Sequence, residues 1–354
     1  MRRWWVAALL ACLLQAGPSR AEPVARHHVT LTRGINITAW FRFPASRDPT
    51  VLAGYLSDQA LADLQAARFD FVRLAIDPDI ADTPALIPAI RRIQRQGLTV
   101  VISPHPHDWH LETDGDRLRR FWRILAPALH KLDPLRTVPE VVNEPVFPND
   151  PAGWARLQHL VLTDIRQALP NATIVLTGKD WGSIGGLLAL TPEDDPNVIY
   201  SFHFYDPSEL TSLAAYRANL DRAALARLPF PVDGRCAATA AEAGDPGTSD
   251  LMQYYCALGW DAQRVGASIE RAAEWGRLHH VRVLAGEFGA SAALNIRARL
   301  TWLTTVREFC EARGIAWALW GYDDMMGLAV ARPPGPRPAL DRGVLTALGL
   351  TMGK

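Results

Sequence analysis

The sequence predicts an α/β fold of the (β/α)8 TIM-barrel type, and three observations predict it. Eight short apolar runs recur along the 354 residues, alternating with segments of helical period. The runs are nearly continuous in apolar residues rather than alternating, as in a parallel sheet covered on both faces. No glycine-rich phosphate loop follows the first run, which removes the main sign of a doubly wound open sheet.

In chain order the runs are RGINITAWF (33–41), FDFVRLAID (69–77), LTVVISPH (98–105) and VPEVVNEP (138–145). They continue with ATIVLTGKDW (172–181), NVIYSFHFYDP (197–207), VRVLAGEFGA (281–290) and IAWALWGYDD (315–324). Between them ALIPAIRRIQRQG, WARLQHLVLTDIRQALP and RARLTWLTTVREFCEARG keep the spacing of one apolar helix face. The segment 208–265 is too long for one βα unit and reads as an excursion after strand six rather than a domain. Cys236 and Cys256 flank its Pro- and Gly-rich part. In an oxidising compartment they would close a loop of ~20 residues, worth about 3 kcal/mol on a chain-entropy argument. Cys310, beside Phe309 in a helical stretch, reads as a buried thiol. ARPPGPRP reads as a loop before the last helix.

Residues 1–21 have the layout of a signal peptide. Arg2 and Arg3 precede the apolar core Trp4–Leu14, and Ser19-Arg20-Ala21 offers a small-x-small cleavage site. The core is too short for a bilayer, which needs ~20 residues. The expected organisation is therefore a leader, 1–21, and one catalytic barrel, 22–354, that is secreted or periplasmic. A net charge of +0 leaves no basic footprint for nucleic acid. No membrane contact after leader removal, no cofactor and no metal are expected, and the chain is expected to act as a monomer on a polysaccharide or oligosaccharide.

In such a barrel the catalytic groups sit at the C-terminal ends of the strands. Polar residues end almost every run here: Arg73, His105, Asn143-Glu144, His203 with Tyr205, Glu287 and Trp320. Each has a plainer reading by itself. Arg73 could serve a structural ion pair, His105 a loop, His203 and Tyr205 a core, and either glutamate a helix cap. Their recurrence at one end of the runs favours a shared site. Two carboxylates facing each other across a barrel mouth suit glycosidic cleavage, where one must be protonated and the other ionised. Arg73 and the Tyr205 hydroxyl would hold Glu287 ionised, whereas Glu144 has no evident cation beside it and is the candidate acid. Of the 12 Trp, Trp40, Trp109, Trp181 and Trp320 fall at or after strand ends, where flat rings can cover pyranose faces. Trp122, Trp154, Trp275 and Trp302 lie in helical stretches and read as packing residues.

Taken together these residues resemble glycoside hydrolase family 5, the retaining cellulase-type family of the large barrel clan. The resemblance runs from about Gly34 to Gly349 and rests on NEP (143–145), GEFG (286–289), SFHFYDP (201–207) and Trp320. It implies Glu144 as general acid/base, Glu287 as nucleophile and Asn143 on the substrate 2-hydroxyl. Arg73 and Tyr205 would orient Glu287, His203 would sit beside the acid/base, and His105 and Trp320 would shape the subsite of the cleaved sugar. ISPH at strand three, GYDDMMG after Trp320 and the Cys-bounded excursion depart from the family pattern, and all lie around the cleft.

The expected activity is that of a secreted retaining endo-β-glycosidase on β-1,4-glucan. A β-mannanase or exopolysaccharide hydrolase of the same fold is the alternative. A metal-dependent barrel hydrolase using His105, His107, His203 and Asp323 or Asp324, and a non-catalytic sugar-binding barrel, are the rivals.

Overall fold

A computed structural model describes residues 29–81, 84–329 and 338–351. The predicted leader and nearly all of ARPPGPRP lie outside the described residues. Eight parallel strands are β1 Arg33–Phe41, β2 Phe71–Ile76, β3 Thr99–Pro104, β4 Thr137–Pro139, β5 Ile174–Thr177, β6 Val198–Phe204, β7 Arg282–Phe288 and β8 Ala316–Leu319. Their order is β4-β3-β2-β1-β8-β7-β6-β5, and a parallel bridge between Glu140 and Val175 closes the ring. The helices Asp58–Ala66, Leu86–Arg95, Leu111–Leu129, Gly153–Ala168, Ile184–Leu188, Ala262–His279, Ile296–Glu311 and Arg342–Ala347 follow the successive strands. The predicted TIM barrel is the fold.

Alternation along each strand sorts side chains to two cores. Val72, Leu74, Val100, Ile102 and Leu176 face outward into the large cluster shared with the helices. Phe71, Val101, Val138, Val175, Ile199, Leu284 and Ala318 face inward and form a separate layer near the base, joined by Val29 and Leu31 from the segment before β1. Gly34 belongs there because a Cβ would lie 2.2 Å from the Phe71 ring, which fills its space. Two residues further along β2, and on the same face, comes the fully buried Arg73. The barrel interior thus changes from an apolar base to a charged layer beneath the mouth.

Two strands differ from their predicted runs. Arg73 lies inside β2, not at its end. The fourth run regularises only as Thr137–Pro139. Beyond it the chain is irregular but still bonded on both sides: Glu140 N–H donates to Ile102, Val141 N–H to Val175 and Asn143 N–H to Pro104. Glu144 then adopts φ +33°, a backbone uncommon for a non-glycine residue.

The excursion contains the short helices Ser208–Thr211, Arg222–Leu225 and Cys236–Ala241, then Pro246–Leu258. Asp245 caps the last by accepting from Thr248 N–H, Pro246 occupies its first turn, and Gly259 ends it at φ +60°. The Cys236–Cys256 disulfide staples these two helices, with a Cα–Cα distance of 5.6 Å. Cys310 is a buried thiol. Among the described residues no helix is long and apolar enough to cross a membrane.

Candidate active site

The charged layer is organised by Arg73, whose five donors are all used. Nε and one terminal nitrogen bind the two oxygens of Glu140, each at 2.7 Å. The remaining donors reach Asn143 Oδ1 at 2.8 Å, Asn36 Oδ1 at 2.9 Å and Glu287 Oε1 at 2.6 Å. Burial alone would lower the Arg73 pKa, but Glu140 and Glu287 prevail and raise it. The guanidinium is a permanent charge fixed in direction. The Tyr205 hydroxyl donates to the other Glu287 oxygen at 2.8 Å. Burial, and then Glu287, push the phenol pKa well up, so the proton stays available to the carboxylate.

Glu144 stands at the mouth, where its side chain is 31% exposed, against 4% for Glu287. His203 lies between the two glutamates. Its Nδ1 is 3.0 Å from Glu144 Oε1 and 3.5 Å from Glu287 Oε2. A break in register between β6 and β7 sets His203 directly beside Glu287 in the ladder. Burial lowers the imidazole pKa, yet Glu287 and Glu144 together raise it. The effect on Glu144 is reciprocal. Burial raises its pKa, but the His203 hydrogen bond and charge, with Arg73 and Arg42, lower it overall. This corrects the expectation that Glu144 has no basic partner; that partner is His203, 59 residues away in sequence.

The other predicted residues divide. His105 is buried beneath the mouth, within hydrogen-bond distance of Ser103 Oγ at 3.1 Å and stacked on Trp320 at 5.8 Å. Burial, and then the nearby cations, hold its pKa well down, so it is neutral. Trp181 is exposed and lines a cleft of 590 Å³ together with Asn143, Glu144, His105 and Trp109. Trp40 does not reach it. The ring is fully buried, stacks on Phe41 and Tyr55, and donates its indole N–H to Leu52. A register break between Ile37 and Phe41 makes this stretch of β1 irregular, and Trp40 packs with Phe41 in the outer cluster and offers no face to a sugar. Trp122, Trp154, Trp275 and Trp302 are buried as expected.

Glu140, Asn36 and Arg42 are parts of the site that the sequence reading missed. A signal existed for two of them. Glu140 and Asn36 each interrupt an apolar run, and a polar group inside such a strand requires a buried partner.

Glu144, His203 and Glu287 bring ligand atoms within 4.8 Å of one another. Both Glu287 oxygens already accept from Arg73 and Tyr205, so the trio is a hydrogen-bonded cluster. It is also not the metal set suggested by the sequence, in which Asp323 figured; that carboxylate accepts from Thr38 and Ala39. A concavity of 530 Å³ at the opposite end of the barrel has no acidic residue in its lining. Converging carboxylates, rather than volume, locate the site.

Residues 36–325 match the family described as cellulase, glycosyl hydrolase family 5. The chain belongs to glycosyl hydrolase family 5. As a family 5 chain it is a glycoside hydrolase. It is 26% identical to Endoglucanase 3 of Fibrobacter succinogenes over 82% of its own length and about half (49%) of that protein. It is 21% identical to Endoglucanase C of Acetivibrio thermocellus, covering 84% of this chain and 92% of the other. Among solved structures, endoglucanase Cel5A of Thermotoga maritima shares the fold with a TM-score of 0.71 at 22% identity, over 90% of this chain and 96% of that one. The Clostridioides difficile cellulose synthase subunit Z does so with a TM-score of 0.70 at 20% identity, over 90% and 99%. The Thermotoga enzyme has been solved with cellobiose and with mannotriose.

Proposed function

We propose that this family 5 chain is an exported, retaining endo-β-glycosidase acting on β-1,4-glucan, with Glu287 as nucleophile and Glu144 as general acid/base. The observation that carries the reading is the approach of Glu144 and Glu287 oxygens within 4.8 Å around His203. Retaining enzymes need carboxyl groups about 5–5.5 Å apart, whereas inverting ones leave roughly 6.5–9.5 Å for a water.

In the first step a Glu287 oxygen forms a bond to the anomeric carbon as the glycosidic C–O bond breaks. Glu144 gives its proton to the departing oxygen. Arg73 and Tyr205 each donate to one Glu287 oxygen and keep the nucleophile aimed. The hydrogen bond between Glu144 and His203 favours an ionised Glu144 and a protonated His203, and a bound sugar that strips water from Glu144 shifts the balance toward the acid form. In the second step Glu144 takes a proton from water, the oxygen attacks the anomeric carbon, and Glu287 departs. Asn143, fixed by Arg73, would bind the 2-hydroxyl, while Trp320, His105 and Trp181 would contact the sugar rings.

The leader layout and the Cys236–Cys256 disulfide support export to an oxidising compartment. The names of the relatives support a β-glucan substrate. The Thermotoga complexes with cellobiose and mannotriose keep β-mannan as the second reading.

The test is NMR of the first-formed product from β-glucan. The β-anomer is expected, and an α-anomer would remove Glu287 from its role. Sizing the products from glucans, mannans and exopolysaccharides then fixes the polymer and the cleavage mode.

A further inference from the structure

Arg42 follows β1 directly and lies at the mouth. Its guanidinium carbon is 4.8 Å from the centroid of Phe43 and 5.5 Å from that of Trp320. His107 packs on Phe43 at 4.7 Å, and His105 on Trp320 at 5.8 Å. These five side chains make one continuous wall. Among the described residues Arg42 is the only arginine or lysine lining the cleft.

Unlike Arg73, this cation is not used up by the protein. Its buried Nε has no hydrogen-bond partner, and it forms no ion pair with a described carboxylate. It feels Glu287 and Glu144 only through space. The two carboxylates in the lining are engaged elsewhere. Glu144 pairs with His203, and Glu112 accepts from the Asn149 side chain and from the N–H groups of Asn149 and Asp150. The indole N–H of Trp109, in the same lining, is also buried without a partner. The wall is therefore rich in donors and carries a positive charge steadied by aromatic faces rather than by a counter-ion.

We propose that Arg42 is a specificity-determining residue that receives the carboxylate of a uronosyl unit, so that the preferred substrate is an acidic β-glycan. The inference rests on the β-glycosidase reading above and puts an acidic β-glycan in place of neutral β-glucan as the preferred substrate. A guanidinium matches a planar carboxylate with two parallel hydrogen bonds, a fit that a neutral hydroxymethyl group lacks. The competing role for Arg42 is to balance the charge of the two glutamates, which would serve neutral and acidic glycans alike.

The experiment compares kcat/KM on neutral cello-oligosaccharides with that on length-matched oligosaccharides carrying glucuronosyl units. Wild type, Arg42→Gln and the charge-retaining Arg42→Lys are measured at low and high salt. Wild type should favour the acidic substrate, less so at high salt. Arg42→Gln should lower the acidic-to-neutral ratio about tenfold, mainly through KM, and Arg42→Lys should recover part of it. A wild type that cleaves both without preference, or an Arg42→Gln that changes both by the same factor, overturns the proposal and leaves the glycosidase reading intact. A wild type that cleaves neither overturns both. If Arg42→Gln folds poorly, calorimetry on Glu287→Gln decides, and equal affinity for the two oligosaccharides counts against an acidic substrate.

Discussion

Glu140 grips Arg73 with both carboxylate oxygens, each contact 2.7 Å long, and neither side chain has any exposed surface. Neither residue of this pair faces the cleft, yet Arg73 is the group that fixes Glu287 and Asn143. Removing one partner of a buried pair leaves an uncompensated charge, at about 3–5 kcal/mol. Glu140→Ala should therefore lower the melting temperature by several degrees and reduce kcat as well, because Arg73 loses its bearing on Glu287. Thermal melts and steady-state kinetics on the same preparation check this; a variant with normal stability and normal kcat would contradict it.

The two proposed catalytic glutamates should differ in how they fail. Glu287→Ala should abolish turnover while oligosaccharide binding, measured by calorimetry, survives. Glu144→Gln should lose about 10²–10⁴ in kcat on substrates with poor leaving groups and much less on activated aryl glycosides, which need no proton.

The His203 and Glu144 shifts carry opposite pH signatures. A raised imidazole contributes its stability fully below its unfolded value of 6.5, and the contribution is lost as pH rises through the higher folded value. A lowered carboxyl contributes above 4.5 and loses this as pH falls through its lower folded value. The melting-temperature gap between wild type and His203→Gln should thus shrink toward alkaline pH, and that for Glu144→Gln should shrink toward acid. In Glu144→Gln the His203 imidazole should also titrate lower than in wild type, as read by NMR.

Trp40 and Trp181 separate packing from contact. Trp40→Ala should destabilise by about 3–5 kcal/mol, the usual cost of emptying a buried indole site, seen in denaturant melts. Trp181 is 63% exposed, so Trp181→Ala should leave the melt within about 0.5 kcal/mol of wild type and raise KM. An unchanged KM would take Trp181 out of the substrate path.

Opening the disulfide, by Cys236→Ser with Cys256→Ser, should cost about 3 kcal/mol for its 20-residue separation. Neither cysteine lines the cleft. The effect should appear in melts and in proteolysis of the excursion, with kcat on β-glucan retained.

The sequence showed the barrel clearly because periodicity is local. Arg33–Phe41 can be read off directly, and Glu144 and Glu287 stand out at the ends of their runs. It did not show direction. Counting alternate residues sends Trp40 the same way as Asn36, yet past the register break between Ile37 and Phe41 it packs in the outer cluster. Nor did it show encounters across the ring. That His203 lies between Glu144 and Glu287 depends on three strands meeting and on a second register break in β6–β7. The lack of a basic neighbour along the chain was a fact about sequence distance, and the folded barrel reverses it.

The apolar layer at the base of the barrel also limits how far the chain can be trimmed from its N-terminal side. Val29 and Leu31 are 3% and 8% exposed, and Val29 is tied to Thr173 Oγ1 at 3.1 Å and to Arg282 at 2.8 Å. They stopper the barrel from below, beneath the charged layer that holds Arg73 and Glu287. A truncation that ends before Val29 would leave the stopper in place. Trimming past Leu31 would uncork it, admit water under Arg73 and raise the local dielectric there. A protein cut that far should bind sugar at an intact mouth yet lose activity and stability together, through a leak at the end where no substrate enters.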